Sequence, residues 1–251
     1  MNMLCRFAMS LVLFMILIPG FSSAEEVDAQ KLLEEIDANM WSDTKHIEGR
    51  LIIDNGRRVR ELKQETWMKG VTKSFSRYLS PARERGTKML KIKNKLWLYT
   101  PQTDRKILIS GHLLRQSMMG SDLSYEDMME DVKVSRAYQA TLEGYEDAEG
   151  KQVAILELKA KKEDSTYQTR KVWADPERYV VLKEIRYAKS GKPLKLVEFL
   201  DYHPIEGRLF PRRMVFRDLL KTDTKTTYVF DSIQFDVDIP GRYFSQSILK
   251  R

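Results

Sequence analysis

From Thr44 onward, apolar and charged residues alternate along most of the chain. "HIEGRLIIDN" (46–55) and "RVRELKQETWMKG" (58–70) flank Gly56, and period-two alternation around a short glycine turn predicts a hairpin. "KSFSRYLS" (73–80), "GTKMLKIKNKLWLYTP" (86–101, with an Asn-Lys turn) and "RKILIS" (105–110) continue the pattern. It resumes beyond Asp131 in further segments, most joined by short Glu-Gly, Asp-Pro or Ser-Gly turns. These segments predict about eleven strands in sequence order, and connections this short favour an antiparallel meander. Ahead of them, Val27, Leu32, Leu33, Ile36, Met40 and Trp41 recur at three- and four-residue steps, which predicts an amphipathic helix over 25–41. Glu25, Glu26 and Asp28 supply the acids that suit its N-terminus.

One stretch breaks the alternation. "GHLLRQSMMGSDLSYEDMM" (111–129) holds two Met-Met pairs, two glycines and the helix-capping pattern Ser124-x-x-Asp127. Methionine is flexible and polarizable, so the cluster reads equally as a gap-filling loop or as a pliable wall for apolar partners, with Gly111 and Gly120 as hinges.

The first 24 residues predict an export signal. Arg6 precedes an uncharged apolar run from Phe7 to Ile18, Pro19 and Gly20 end it, and Ser22-Ser23-Ala24 places cleavage before Glu25. Such a run is short of the ~20 residues a spanning helix needs. Cys5, the single cysteine, lies before the run, so the processed chain has no lipid-anchoring thiol and no disulfide. The remaining 251 − 24 = 227 residues show no linker, composition shift or fixed repeat, and predict one domain over 25–251. One face of so large a sheet must be covered, which a closed barrel or a sheet curled around the helix achieves.

Charge excludes little. Losing Arg6 leaves 43 − 1 = 42 basic against 36 acidic residues, a net +6 spread along the chain. An exported protein makes nucleic acid an unsuitable partner, and the excess fits either an ordinary mixed surface or an anionic membrane or acidic partner. Catalytic and metal signatures are missing. His46, His112 and His203 lack ligand spacing, no GxSxG elbow or phosphate loop occurs, and the acid pairs Glu126-Asp127, Glu130-Asp131 and Glu163-Asp164 read as solvated. The chain is therefore expected to be a binding protein, with no enzymatic activity, no cofactor and no metal. Its strands carry many aromatic residues, which fill a dry core or line an apolar cavity; composition leaves both open.

Residues 78–128, "YLSPARERGTKMLKIKNKLWLYTPQTDRKILISGHLLRQSMMGSDLSYEDM", resemble the signature region of the bacterial outer-membrane lipoprotein-sorting (LolA-like) family. The matching segments are Ser80-Pro81-Ala82 with Gly86-Thr87, Trp97-Leu98-Tyr99 with Pro101, and Arg115 to Asp127. The closing "VDIPGRYFSQ" (237–246) is of the kind that ends such domains. The resemblance implies an α+β, mainly β fold: a single unclosed antiparallel half-barrel of about eleven strands wrapped around a helical lid, with an apolar concave face that holds acyl chains.

It also implies a periplasmic carrier that moves lipid or lipoprotein acyl chains toward the outer membrane, with an inner-membrane transporter and an outer-membrane acceptor as partners and a monomeric state. Trp67, Tyr78, Leu90, Ile92, Trp97, Tyr99, Met118, Met119 and Met128 are the expected lining of the cavity or of its mobile wall. In "LWLY" either parity, Trp97 and Tyr99 or Leu96 and Leu98, can face inward. Family carriers use an arginine that contacts the lid, for which Arg50, Arg77 and Arg115 are the candidates. The rival readings are a periplasmic interaction subunit of an envelope transporter with a filled core and, last, an envelope-lipid enzyme.

Overall fold

The computed structural model describes residues 27–130, 133–148 and 150–250. The expected export signal lies outside the described residues. Helix α1 (Ala29–Met40) begins later than the periodicity suggests because Asp28 caps it, accepting from the backbone N–H groups of Gln30 (2.9 Å) and Lys31 (3.0 Å). Its buried stripe is Ala29, Leu32, Leu33 and Ile36.

Six strands follow: β1 (Thr44–Asp54), β2 (Val59–Lys69), β3 (Lys73–Ser80), β4 (Lys88–Ile92), β5 (Lys95–Thr100) and β6 (Arg105–Ile109). After a crossover come β7 (Tyr138–Ala148), β8 (Lys151–Ala160), β9 (Thr169–Asp175), β10 (Val180–Tyr187), β11 (Pro193–Ile205), β12 (Arg208–Asp218) and β13 (Lys225–Phe235). The described residues form thirteen strands, close to the expected eleven. The run 86–101, with its expected turn, folds as two strands, and Lys93 at the turn lies in the left-handed region (φ 54°).

All thirteen strands form one sheet in the order β6-β5-β4-β3-β2-β1-β13-β12-β11-β10-β9-β8-β7, with antiparallel pairing throughout. The expected meander is therefore permuted. The chain enters mid-sheet at β1, runs out to the β6 edge, crosses to the opposite β7 edge, and returns until β13 pairs with β1. The two edges do not meet, which leaves an open half-barrel.

Side-chain alternation gives this sheet two covered faces. On the inner face α1 packs on Tyr138, Ala140, Leu156, Leu158 and Val172 from β7–β9, while the crossover packs on Leu51, Ile53, Leu62, Tyr78, Met89 and Leu96 from β1–β5. Phe210, Ile233 and Phe235 join Ile47 in a third apolar cluster, against which Met40 packs. On the outer face, Trp67, Phe75, Leu90 and Trp97 lie under the C-terminal segment through Ile239, Phe244 and Leu249. Each such side chain contributes about 1.5–3 kcal/mol relative to exposure. Double coverage of β2–β5 is why "LWLY" is apolar at both parities.

Candidate cargo site beneath the crossover

The crossover is the part of the chain that 111–129 singled out by composition. It comprises 3-10 turns at Gly111–Arg115 and Met118–Gly120, the short helix α2 (Tyr125–Met129) and the single turn α3 (Val134–Ala137). Met119 (φ 53°) and Gly120 (φ 74°) both lie in the left-handed region, an arrangement a non-glycine residue adopts only when its surroundings hold it. Two contacts do so: Ser121 donates its hydroxyl to the Met118 carbonyl (2.7 Å), and Arg60 of β2 donates Nη2 to the Met119 carbonyl (2.7 Å). The Ser124-x-x-Asp127 pattern forms a complete capping box at the start of α2.

Beneath the crossover the inner face divides into two halves of different chemistry. The half over β1–β6 is apolar, with Met118, Leu123 and Tyr125 buried and Leu113, Leu114, Met119, Met128 and Met129 partly buried against the sheet. The half over β9 and β10 is ionic. Arg170 of β9 and Arg186 of β10 are direct register partners. Arg170 donates Nη2 to Glu130 Oε2 (2.6 Å) and Nη1 to Glu184 Oε2 (3.3 Å). Arg186 donates Nε to Glu184 Oε1 (2.8 Å) and Nη1 to Asp127 Oδ1 (3.3 Å), and Tyr167 donates its hydroxyl to the same Asp127 oxygen (2.7 Å). The Arg170 guanidinium lies over the Tyr138 ring at 4.6 Å, a cation–π contact strengthened by burial.

Burial and charge set opposite directions within this network. Desolvation raises the Glu130 carboxyl above the usual range, and Arg170 and Arg186 offset only part of it. Asp37 of α1 is raised by the same cause despite accepting from the Ser135 hydroxyl (2.6 Å) and backbone N–H (2.8 Å). Burial also pushes Glu184 upward, but the attraction of Arg186 and Arg170 and their hydrogen bonds outweigh it and leave Glu184 below its ordinary 4.5. The signs then follow. Raised Glu130 and Asp37 bind protons in the folded state before the unfolded one, so stability rises as the solution becomes mildly acidic. Lowered Glu184 contributes stability above 4.5, and that contribution is lost as pH falls through its folded value. Melting temperatures between about pH 4 and pH 8 are expected to pass through a maximum on the mildly acidic side.

The nominated residues fall on two faces. Tyr78, Met118, Met119 and Met128 share the inner apolar cluster. Trp67, Leu90 and Trp97, with Ile92 and Tyr99 partly buried beside them, form the outer cluster under residues 237–250. The structure thus assigns Leu96 and Leu98 of "LWLY" to the inner face and Trp97 and Tyr99 to the outer one. Of the arginine candidates, Arg50 pairs with Asp231 (2.8 Å), Arg77 pairs with Glu65 (2.7 Å), and Arg115 is exposed at the rim of a cleft. The arginines that reach the crossover from the sheet are Arg60, Arg170 and Arg186. Strand parity could have found them, since Arg60 is in phase with buried Leu62 and Arg170 with buried Val172 and Ala174.

Among the described residues, clefts of about 300–620 Å3 open at the surface. The one of about 500 Å3 beside the crossover is lined by Arg115, Ser124, Glu126, Tyr167, Lys195 and Asp218 among others, and reaches the ionic half through Tyr167. On the outer face, His46, Glu48 and Glu65 hold ligand-capable atoms within 4.8 Å of one another, but Glu65 is already engaged by both His46 (2.9 Å) and Arg77.

An open, thirteen-stranded half-barrel with a lid-like crossover on its inner face defines a fold class, the LolA-like half-barrel. A family model described as uncharacterized protein-like matches residues 70–251, and the chain belongs to that family. Three solved structures share the fold. A DUF1329 family protein from Desulfovibrio piger is 25% identical, with 88% of this chain and 97% of that chain covered and a TM-score of 0.79. An outer-membrane lipoprotein-sorting protein domain from Vibrio parahaemolyticus is 21% identical, covering 89% and 98% with a TM-score of 0.77. A LolA superfamily protein from Nitrosomonas europaea is 23% identical, covering 88% and 99% with a TM-score of 0.75. No protein of curated function matches.

Proposed function

We propose that the protein is a non-enzymatic periplasmic carrier whose crossover occupies the acyl-chain site when no cargo is bound. The observation that carries this reading is the crossover's composition at its point of contact: four methionines, Met118, Met119, Met128 and Met129, are pressed into the inner apolar cluster beside Leu113, Leu114, Leu123 and Tyr125. Flexible, polarizable side chains in that position mimic an alkyl chain and can be exchanged for one at little difference in packing. Each CH2 withdrawn from water contributes about 0.8 kcal/mol, so a long acyl chain offsets part of what holds the lid, which includes the bonds from Arg60 to Met119, Lys91 to Met129 and Thr226 to Asp122. The likeness to an outer-membrane lipoprotein-sorting protein domain supports a lipid or lipoprotein cargo, which on this reading a monomer takes from an inner-membrane donor and passes to an outer-membrane acceptor.

A second reading has its own support: the inner face is filled and the surface clefts are polar-rimmed, as suits an interaction subunit of an envelope transporter without cargo. Titration with a fluorescent fatty acid, paired with native mass spectrometry of protein taken from its own periplasm, separates the two. Saturable uptake or co-purified lipid is expected. Absence of both leaves the interaction subunit.

A further inference from the structure

We propose that Arg170 and Arg186 form the seat for an anionic headgroup, a phosphate or carboxylate on a single-chain amphiphile, and that Asp127 and Glu130 of the crossover occupy this seat in the closed protein. The proposal rests on the carrier reading and names the cargo class.

The charge count on the sheet side comes first. Arg170 and Arg186 share one sheet carboxylate, Glu184, so the strands alone present two positive charges against one negative. The crossover adds two carboxylates, Glu130 on Arg170 (2.6 Å) and Asp127 on Arg186 (3.3 Å), so the closed network sets three carboxylates against two guanidinium groups. A lid that leaves must therefore be replaced by another anion, since an uncompensated buried charge is strongly unfavourable. Two guanidinium groups side by side on adjacent strands suit the oxygens of a phosphate or carboxylate, which they bind in paired hydrogen bonds.

Burial adds a second, independent observation. The Arg170 side chain is 4% exposed, and its buried Nε has no hydrogen-bond partner among the described residues. The crossover carboxylates thus leave one donor of the seat unused. Ion pairs inside a protein seldom stabilise it more than apolar packing would, and the neighbouring half of the same interior is built from Leu, Met and Tyr. Helix α2 spans the division: Asp127 reaches the arginines while Met128 and Met129 lie against the apolar cluster. A headgroup at Arg186 therefore places its chain along the surface that the methionines cover. The approach is short, because Tyr167, which holds Asp127, also lines the half-open cleft of about 500 Å3.

The test compares lysophosphatidate with monoacylglycerol of the same acyl chain, each displacing a neutral fluorescent probe from the full chain. Wild type is expected to prefer lysophosphatidate by about tenfold or more, the scale of one charge-assisted bond. Arg186→Gln is expected to remove that preference, so that both amphiphiles bind alike. Glu130→Gln, which deletes a competing carboxylate, is expected to widen the preference, and it serves if the arginine variant does not fold. Inorganic phosphate alone raising the melting temperature of wild type but not of the arginine variant identifies a seat for the free anion; no such effect alongside the preference assigns it to the lipid headgroup. Equal binding of both amphiphiles by wild type, or a preference that survives Arg186→Gln, overturns the headgroup seat and leaves the carrier standing. Failure of both amphiphiles to bind overturns the carrier reading itself.

Discussion

Trp67→Ala is expected to lower the free energy of unfolding by about 3–5 kcal/mol while leaving acyl-ligand affinity within about twofold of wild type. The indole is 7% exposed and stacks on three rings, His46 at 5.1 Å, Phe75 at 5.5 Å and Tyr243 at 4.5 Å, with the Arg77 guanidinium 5.2 Å from its centroid. Tyr243 belongs to the C-terminal segment, so truncation removes the surface on which Ile239, Phe244 and Leu249 are seated and opens a gap that the sheet cannot close. Were Trp67 instead part of a cargo wall, its loss would appear chiefly in ligand affinity. Urea denaturation and fatty-acid titration on one preparation distinguish the two, and a large loss of uptake with intact stability would return Trp67 to the inner face.

Trp67 also shows where sequence reading reached its limit. Alternation located β1 and β2, and spacing located the capping box of α2, because each depends on residues a few positions apart. The side that each parity faces depends on what covers it. The outer cover comes from residues 237–250, whose 3-10 turns carry no helical period, so nothing near Trp67 or Trp97 announces it. Pairing of β1 with β13 joins the two ends of the sheet-forming chain, and turn signals do not encode it.

The ionic half was hidden for a related reason. Arg170 on a buried parity is readable as an anomaly, but its partner Glu130 lies forty residues away on a segment whose acids look solvated. Arg60 was likewise passed over, since its partner is the backbone carbonyl of Met119, which no side-chain pattern marks. The resemblance over 78–128 located the crossover; the arginines that hold it lie outside that span.

Replacing Met118 and Met119 together by serine is expected to lower unfolding stability by about 2–4 kcal/mol and to raise fatty-acid affinity by about tenfold or more. Met118 is 2% exposed and sits among Leu51, Leu62, Tyr78 and Met89, so its truncation removes packing from the closed state and leaves a polar hydroxyl there. A ligand that binds only after the lid leaves has an affinity reduced by the fraction of molecules that are open, so every 1.4 kcal/mol taken from lid docking gains about a factor of ten until the open form predominates. The sign of the change in uptake is therefore diagnostic. A methionine pair lining a permanently open cavity would make uptake fall, because the acyl chain loses contacts it otherwise has. A filled core with no cargo would show the same drop in stability with no uptake before or after. Only a lid that competes with the cargo for the same surface makes the destabilised variant the better binder.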